Sequence, residues 1–187
     1  FTELDLRDWS AIEHVVASIG GEIDALFNCA GLPQTWPAAD VIAVNFLGIR
    51  RWTEQWLPRI RPGGAIATIS SLAGMRYPAN LATLRPLIAI TDRAEFLDWI
   101  AANPEIVGDS YSFSKELLNT WTGLCAVALA PRHIRINATM PSPTQTPMMP
   151  AFEEVAGAVV LDAFTAPTGR RSTADEQANA LVLLNSG

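Results

Sequence analysis

Apolar positions along the chain follow two rhythms. Trp9, Ile12, Val15, Val16 and Ile19 recur three and four residues apart behind Asp8, which predicts a helix capped by Asp8 and ended at Gly20-Gly21. The stretch 23–28 reads as a short buried strand. Asp40 is expected to open a second helix, with Val41, Val44, Leu47 and Trp52 on its inner side, running towards Pro58. Pro62-Gly63-Gly64 predicts a turn before a strand over 65–70. Leu117, Leu118, Trp121, Leu124, Cys125 and Ala128 form one stripe of a helix over 111–130, stopped by Pro131 and followed by a strand at 134–139. The prolines at 141, 143, 147 and 150 predict a loop, and Thr173 with Glu176 predicts a capping box for a helix reaching Leu184.

Helices alternating with short apolar strands imply a parallel sheet covered on both faces, an α/β doubly wound, Rossmann-like fold. Ligands in such folds sit at the carboxyl ends of the strands. One expected piece is missing: no G-x-G-x-x-G turn precedes a helix anywhere in the chain. The 187 residues are therefore expected to form a single, truncated dinucleotide-binding domain lacking the N-terminal β-α-β unit and the extreme C-terminus.

Charge narrows the partners. A net charge of -6, with basic residues scattered, argues against nucleic acid and anionic membranes. No apolar run has spanning length, so no membrane partner and a cytoplasmic location are expected. Cys29 and Cys125 read as reduced core thiols, and His14 and His133 stand apart, so no metal site is expected.

Five elements carry possible chemistry. Tyr111-x-x-x-Lys115 puts a phenol and an ammonium on one helical face, where the charge is expected to lower the phenol's pKa from about 10. Alone, this pattern reads first as a helix-surface pair. Ser70-Ser71 ends a strand with two hydroxyls, suited to a substrate oxygen or simply to a turn. Asn28-Cys29-Ala30-Gly31 ends another with small residues, leaving room for a flat cofactor or for an ordinary capped turn. Asn45 lies between Val44 and Phe46 on an apolar side; it must be hydrogen-bonded, either to backbone or to a water. Pro141-Ser142-Pro143-Thr144-Gln145-Thr146 offers two Thr hydroxyls on a rigid loop, or a plain connection.

Taken in order, Asn-x-Ala-Gly, a helical Asn, Ser-Ser, Tyr-x-x-x-Lys and Pro-x-x-x-x-Thr resemble the short-chain dehydrogenase/reductase family over nearly the whole chain. The resemblance implies an NAD(P)-dependent oxidoreductase interconverting an alcohol and a carbonyl. It implies that Tyr111 is the acid/base, that Lys115 lowers its pKa and bonds the nicotinamide ribose, that Ser71 orients the substrate oxygen, and that Asn45 holds a relay water. Asn28, Ala30 and Gly31 would lie along the cofactor, Asp5 and Leu6 at its adenine, and Pro141, Thr144 and Thr146 at its nicotinamide. Ser142 departs from the family's usual Gly, and the wide gap between Ser71 and Tyr111 marks 75–109 as an insertion, expected to shape the substrate pocket and to contain a short helix around Phe96–Ile100. The insertion and the run 29–35 resemble the branch holding 3α-hydroxysteroid dehydrogenase/carbonyl reductase and coniferyl-alcohol dehydrogenase. That branch implies NAD in preference to NADP and a small but bulky hydrophobic alcohol or ketone, steroid-like or aromatic. Relatives pair, so a homo-oligomer, dimer or tetramer, is expected through helices 40–57 and 111–130, with Trp52, Trp56 and Trp121 at the contact. The competing reading is a catalytically silent relative or truncated fragment that acts as a binding or assembly module.

Overall fold

The computed structural model describes residues 2–165 and 168–186; Phe1 and Gly187, the two ends, lie outside them. Helix α1 spans Trp9–Ser18, and Asp8 accepts from the amides of Ser10 and Ala11 as the charge pattern requires. Strand β1 is Ile23–Asn28. The next helical stretch starts earlier than expected. Pro37, not Asp40, precedes α2 (Ala38–Ile42), and the Asp40 carboxylate lies in its first turn, paired with Arg7. A π-helical turn at Ala43–Gly48 then leads into α3 (Ile49–Trp56). Strand β2 runs Ile60–Ile69, so Pro62-Gly63-Gly64 is an irregularity inside the strand and not a turn before it. Between Ile23 and Ala25 of β1 the register jumps from Ile60 to Ala65 of β2, and Gly63 takes up the bend at φ +88.

The insertion is helical: α4 (Leu81–Ala89), α5 (Arg93–Ala102) and α6 (Pro104–Val107). Helix α7 (Ser110–Leu129) starts at Asp109, whose carboxylate accepts from the amides of Tyr111 and Ser112. Strand β3 is Arg135–Thr139. The expected proline loop contains a two-residue strand β4 (Thr144–Gln145) and the helices α8 (Met149–Ala156) and α9 (Ala158–Asp162). Strand β5 (Ser172–Thr173) pairs with β4, and α10 (Ala174–Asn185) begins with the predicted capping box.

Strands β1, β2 and β3 form a parallel sheet in that order. Ala65, Ile66 and Ala67 of β2 are all fully buried, so both faces of the central strand are covered. Helices α7 and α10 both touch the sheet, and one apolar cluster runs from Leu6 to Ile136. Because the three strands are parallel, Asn28, Ile69 and Thr139 reach the same edge, and their trailing loops converge there.

The insertion lies elsewhere than expected. Its apolar residues Leu84, Leu87, Ile88, Phe96 and Ile100 are buried. Helix α4 lies on α7, α5 touches α2, and Phe96 stacks at 5.6 Å on Phe46. Arg50 ties the segment down by donating to the carbonyls of Ile88 and Ile90. Trp56 and Trp121 are buried within the chain and Trp52 is half-buried, so they do not form the open aromatic face on which pairing was expected.

Candidate active site

The loop ends enclose a cavity of about 790 Å³ at the carboxyl edge of the sheet. Its floor is Ile69–Ala73 and its flank is the start of α7; residues Met148 to Leu181 supply much of the remaining wall. Ser71 precedes a 3-10 turn, Leu72–Gly74, and its oxygen accepts from the Ala73 amide at 3.2 Å. The hydroxyl proton of Ser71 therefore remains to be donated. Gly74 lets this turn lie directly on α7: a Cβ there would stand 2.7 Å from the Lys115 carbonyl carbon and 2.8 Å from its Cβ. Ser71 and Tyr111, far apart in sequence, are thus brought to one wall of the cavity.

Lys115 is buried one turn after Tyr111. Its Nζ donates to the Ile69 carbonyl at 3.0 Å and lies 5.6 Å from the centre of the Tyr111 ring. One further neighbour is Gly31, where an added Cβ would be 4.0 Å from that nitrogen. The end of β1, the end of β2 and the first turns of α7 therefore meet around the ammonium.

Two family models match the chain, short chain dehydrogenase over residues 1–83 and enoyl-(acyl carrier protein) reductase over residues 100–187. Coniferyl-alcohol dehydrogenase of Pseudomonas sp. (strain HR199 / DSM 7063) is 31% identical over 185 residues, covering 98% of this chain and 72% of that protein. The chain belongs to the short-chain dehydrogenase/reductase family. A further member, 3-alpha-hydroxysteroid dehydrogenase/carbonyl reductase of Comamonas testosteroni, is 28% identical over 181 residues, which are 94% of this chain and 70% of that one. The crystal structure of the 3-alpha-hydroxysteroid dehydrogenase from Pseudomonas sp. B-0831 complexed with NADH superposes with a TM-score of 0.80 at 26% identity, over 98% of this chain and 75% of that one. The chain is thus an oxidoreductase-family protein of the NAD(P)-binding kind, with dehydrogenases among its relatives.

Within this short-chain dehydrogenase framework the electrostatics differ from those read off the sequence. Burial raises the Tyr111 phenol above its usual pKa; the Ser71 hydroxyl works the other way, and the Asp109 carboxylate adds to the rise. Burial also lowers Lys115 to about 8. Burial is the largest influence on the phenol and disfavours its charged form, so its pKa rises where the sequence pattern led one to expect a fall.

Several expected cofactor contacts are engaged in holding the fold. Asn28 is buried, and its amide donates to the hydroxyls of Thr53 at 2.9 Å and Thr68 at 3.1 Å, so its side chain points into the sheet layer and not along the surface. Asn45 sits in the π-helical turn. Its oxygen accepts from the Leu32 amide at 2.7 Å, and its nitrogen donates to the Leu32 carbonyl and the Ser114 hydroxyl. Backbone bonding, one of the two options left by the sequence, is what the side chain does: it pins the loop after β1 to the helix beside α7. Ala30 and Gly31 stay on the accessible side of that loop. Thr144 gives its hydroxyl to the Ser142 carbonyl or the Ser172 hydroxyl, while Pro141, Thr144 and Thr146 all line the cavity. Asp5 and Leu6 do not line it: the Asp5 carboxylate is forked by Arg7, which lowers its pKa, and Leu6 is packed where Gly48 allows.

Three features escaped the sequence reading. Cys29 is exposed and lines the cavity, so it is not a core thiol. Of the insertion 75–109, only Asp109 lines the cavity; the expectation that the insertion shapes the pocket is not met, because its apolar faces are used up against α2 and α7. The wall comes instead from α8, α9 and α10, including Met149, Phe152, Leu161 and Leu181. The spacing of Met149, Phe152 and Ala156 carried that signal, but the four prolines obscured it.

Proposed function

We propose that the protein interconverts an alcohol and a carbonyl on an uncharged hydrophobic substrate, with Tyr111 as acid/base. The observation that carries this reading is that Ser71 and Tyr111 share one wall of a mostly apolar cavity, with the buried Lys115 ammonium 5.6 Å from the Tyr111 ring. Polar groups gathered at one point fix a reacting oxygen, while the remaining wall holds the substrate by burial.

The residues at the strand ends fit a nicotinamide cofactor. Ala30 and Gly31 present almost no side chain, and Lys115 has used one of its three donors on Ile69. Lys115 and the backbone of 30–31 would hold the ribose side, and Pro141, Thr144 and Thr146 the nicotinamide side. When bound, NAD or NADP supplies the hydride acceptor or donor. The chain's own residues do the rest. Ser71 donates to the substrate oxygen and fixes it beside the phenol. In oxidation, the Tyr111 phenolate takes the hydroxyl proton as the carbon gives up its hydride; in reduction, the phenol returns that proton to the forming alkoxide. The Lys115 ammonium, 5.6 Å from the Tyr111 ring, would offset part of the burial that opposes the phenolate, and Asn45 keeps the loop after β1 in register with α7. The apolar wall excludes water and favours a bulky, steroid-like or aromatic substrate, and the branch likeness favours NAD.

Incubation of the protein with NAD or NADP and a panel of neutral alcohols, followed by the absorbance of the reduced nicotinamide, tests this. Aromatic or alicyclic alcohols should be oxidised well above the no-enzyme rate, and their carboxylate-bearing analogues poorly. Preference for the charged analogues would contradict it.

A further inference from the structure

The wall facing the phenol starts with Phe152. Its ring meets Tyr111 edge-on, with centroids 4.9 Å apart and planes at 65°. Helices α8 and α9 that carry this wall are short and leave Val155, Val159 and Val160 exposed, so their own apolar packing holds them weakly. Polar contacts do much of the holding. Arg171, largely withdrawn from solvent, donates from Nε to Asp162 at 2.7 Å and from Nη1 to Glu153 at 2.5 Å. The adjacent Ser172 shares a hydrogen bond with Thr144 at 2.8 Å and pairs with it in the small β4–β5 sheet. One short stretch thus fastens α8, α9 and the loop after β3 together.

The charge of the cavity is equally telling. Among the described residues lining it there is no Lys, Arg or His, and its one acid, Asp109, is occupied by the amides of Tyr111 and Ser112 and the Ser112 hydroxyl. A carboxylate or phosphate on the substrate would lose its water there without a compensating cation.

We infer that Phe152, held against Tyr111 by Arg171, is the specificity-determining residue of the site and selects uncharged substrates that carry a flat ring on the reacting carbon. This rests on the functional reading given above. Phe152 touches the Tyr111 ring and lines the same cavity, so a carbon whose oxygen is bonded to Tyr111 can place one of its substituents beside Phe152. A flat ring gains an aromatic or broad apolar contact there, while a short alkyl group leaves the Phe152 face uncovered. Arg171 touches neither substrate nor phenol; it is a positioning residue that acts through α8.

The test uses the full-length protein with reduced nicotinamide cofactor and two neutral ketones, acetophenone and butanone. The wild type should prefer acetophenone in kcat/KM. Phe152→Leu and Phe152→Ala should each reduce that preference about tenfold, mainly through the KM for acetophenone, while butanone turnover persists. Phe152 is only half-buried, so neither change empties the core. Arg171→Ala should move the preference the same way by a smaller factor, and Arg171→Lys should restore part of it; a merely structural role would depress both ketones alike. An unchanged preference in Phe152→Ala overturns the inference. Alkaline titration of Tyr111 needs no turnover and separates the two possible failures. Removing the Phe152 ring should bring the phenol's titration to lower pH, and an unmoved titration overturns the placement of Phe152. If Phe152→Ala shows the shift yet the wild type reduces neither ketone, the reading of the site is overturned, and with it the selection.

Discussion

Lys115 carries its ammonium into a nearly dry site with one carbonyl to hold it, and that cost has a measurable signature. Its pKa falls from an ordinary 10.5 to about 8. Between those two values the unfolded chain binds more protons than the folded one, so this group's contribution to stability rises with pH across that window; below about pH 8 the full cost of burying the charge is present. The stability of wild type relative to Lys115→Met should therefore increase from pH 8 to 10.5, by up to about 3 kcal/mol. Urea denaturation of both proteins across that range checks it, and a constant difference would refute the burial account. Tyr111 shifts the opposite way, upward. With two tyrosines in the chain, the difference between wild type and Tyr111→Phe isolates one phenol. Its phenolate absorbance should appear above pH 10, and a midpoint below 9 would show that Lys115, not burial, dominates. The sequence showed that these two residues share a helical face. It did not show how dry that face is, because the dryness comes from Phe152 and the Ile69–Gly74 strand end, both distant in the chain.

At the scale of elements, the strands and long helices were legible because each has its own periodicity and punctuation: Asp8 before α1, Thr173 and Glu176 at α10. Elements without that support were missed. Helices α8 and α9 lie among prolines, and the strand β2 extends through Pro62-Gly63-Gly64 because the pairing with β1 tolerates a bulge there. The π-helical turn around Asn45 has no sequence signature, although such turns often accompany functional sites. One tight fit between elements is the turn Leu72–Gly74 on α7. Gly74→Ala would drive a methyl against the Lys115 backbone and should cost about 1–3 kcal/mol. It should also lower turnover, since Ser71 shares that turn. Denaturation midpoints and kcat measured together check this; an unaffected midpoint would mean that the turn can shift freely.

For the whole molecule, the parallel sheet collects three loop ends into one cavity, while the insertion covers the opposite concern, the outer faces of α2 and α7. Replacing 76–108 by a short turn should leave the ratio of bulky to small alcohols unchanged, expose Phe46 and the α7 surface, and raise the mass seen by light scattering. A changed substrate ratio at unchanged mass would return the insertion to the pocket. The account as a whole stands on a proton passing through Tyr111. Its most direct test is single-turnover hydride transfer by Tyr111→Phe, followed with cofactor and an aromatic alcohol at saturating concentrations beside the wild type. The account predicts a rate lower by a factor of about 10² or more, with the fold and the cofactor affinity retained. A near-normal rate would contradict it.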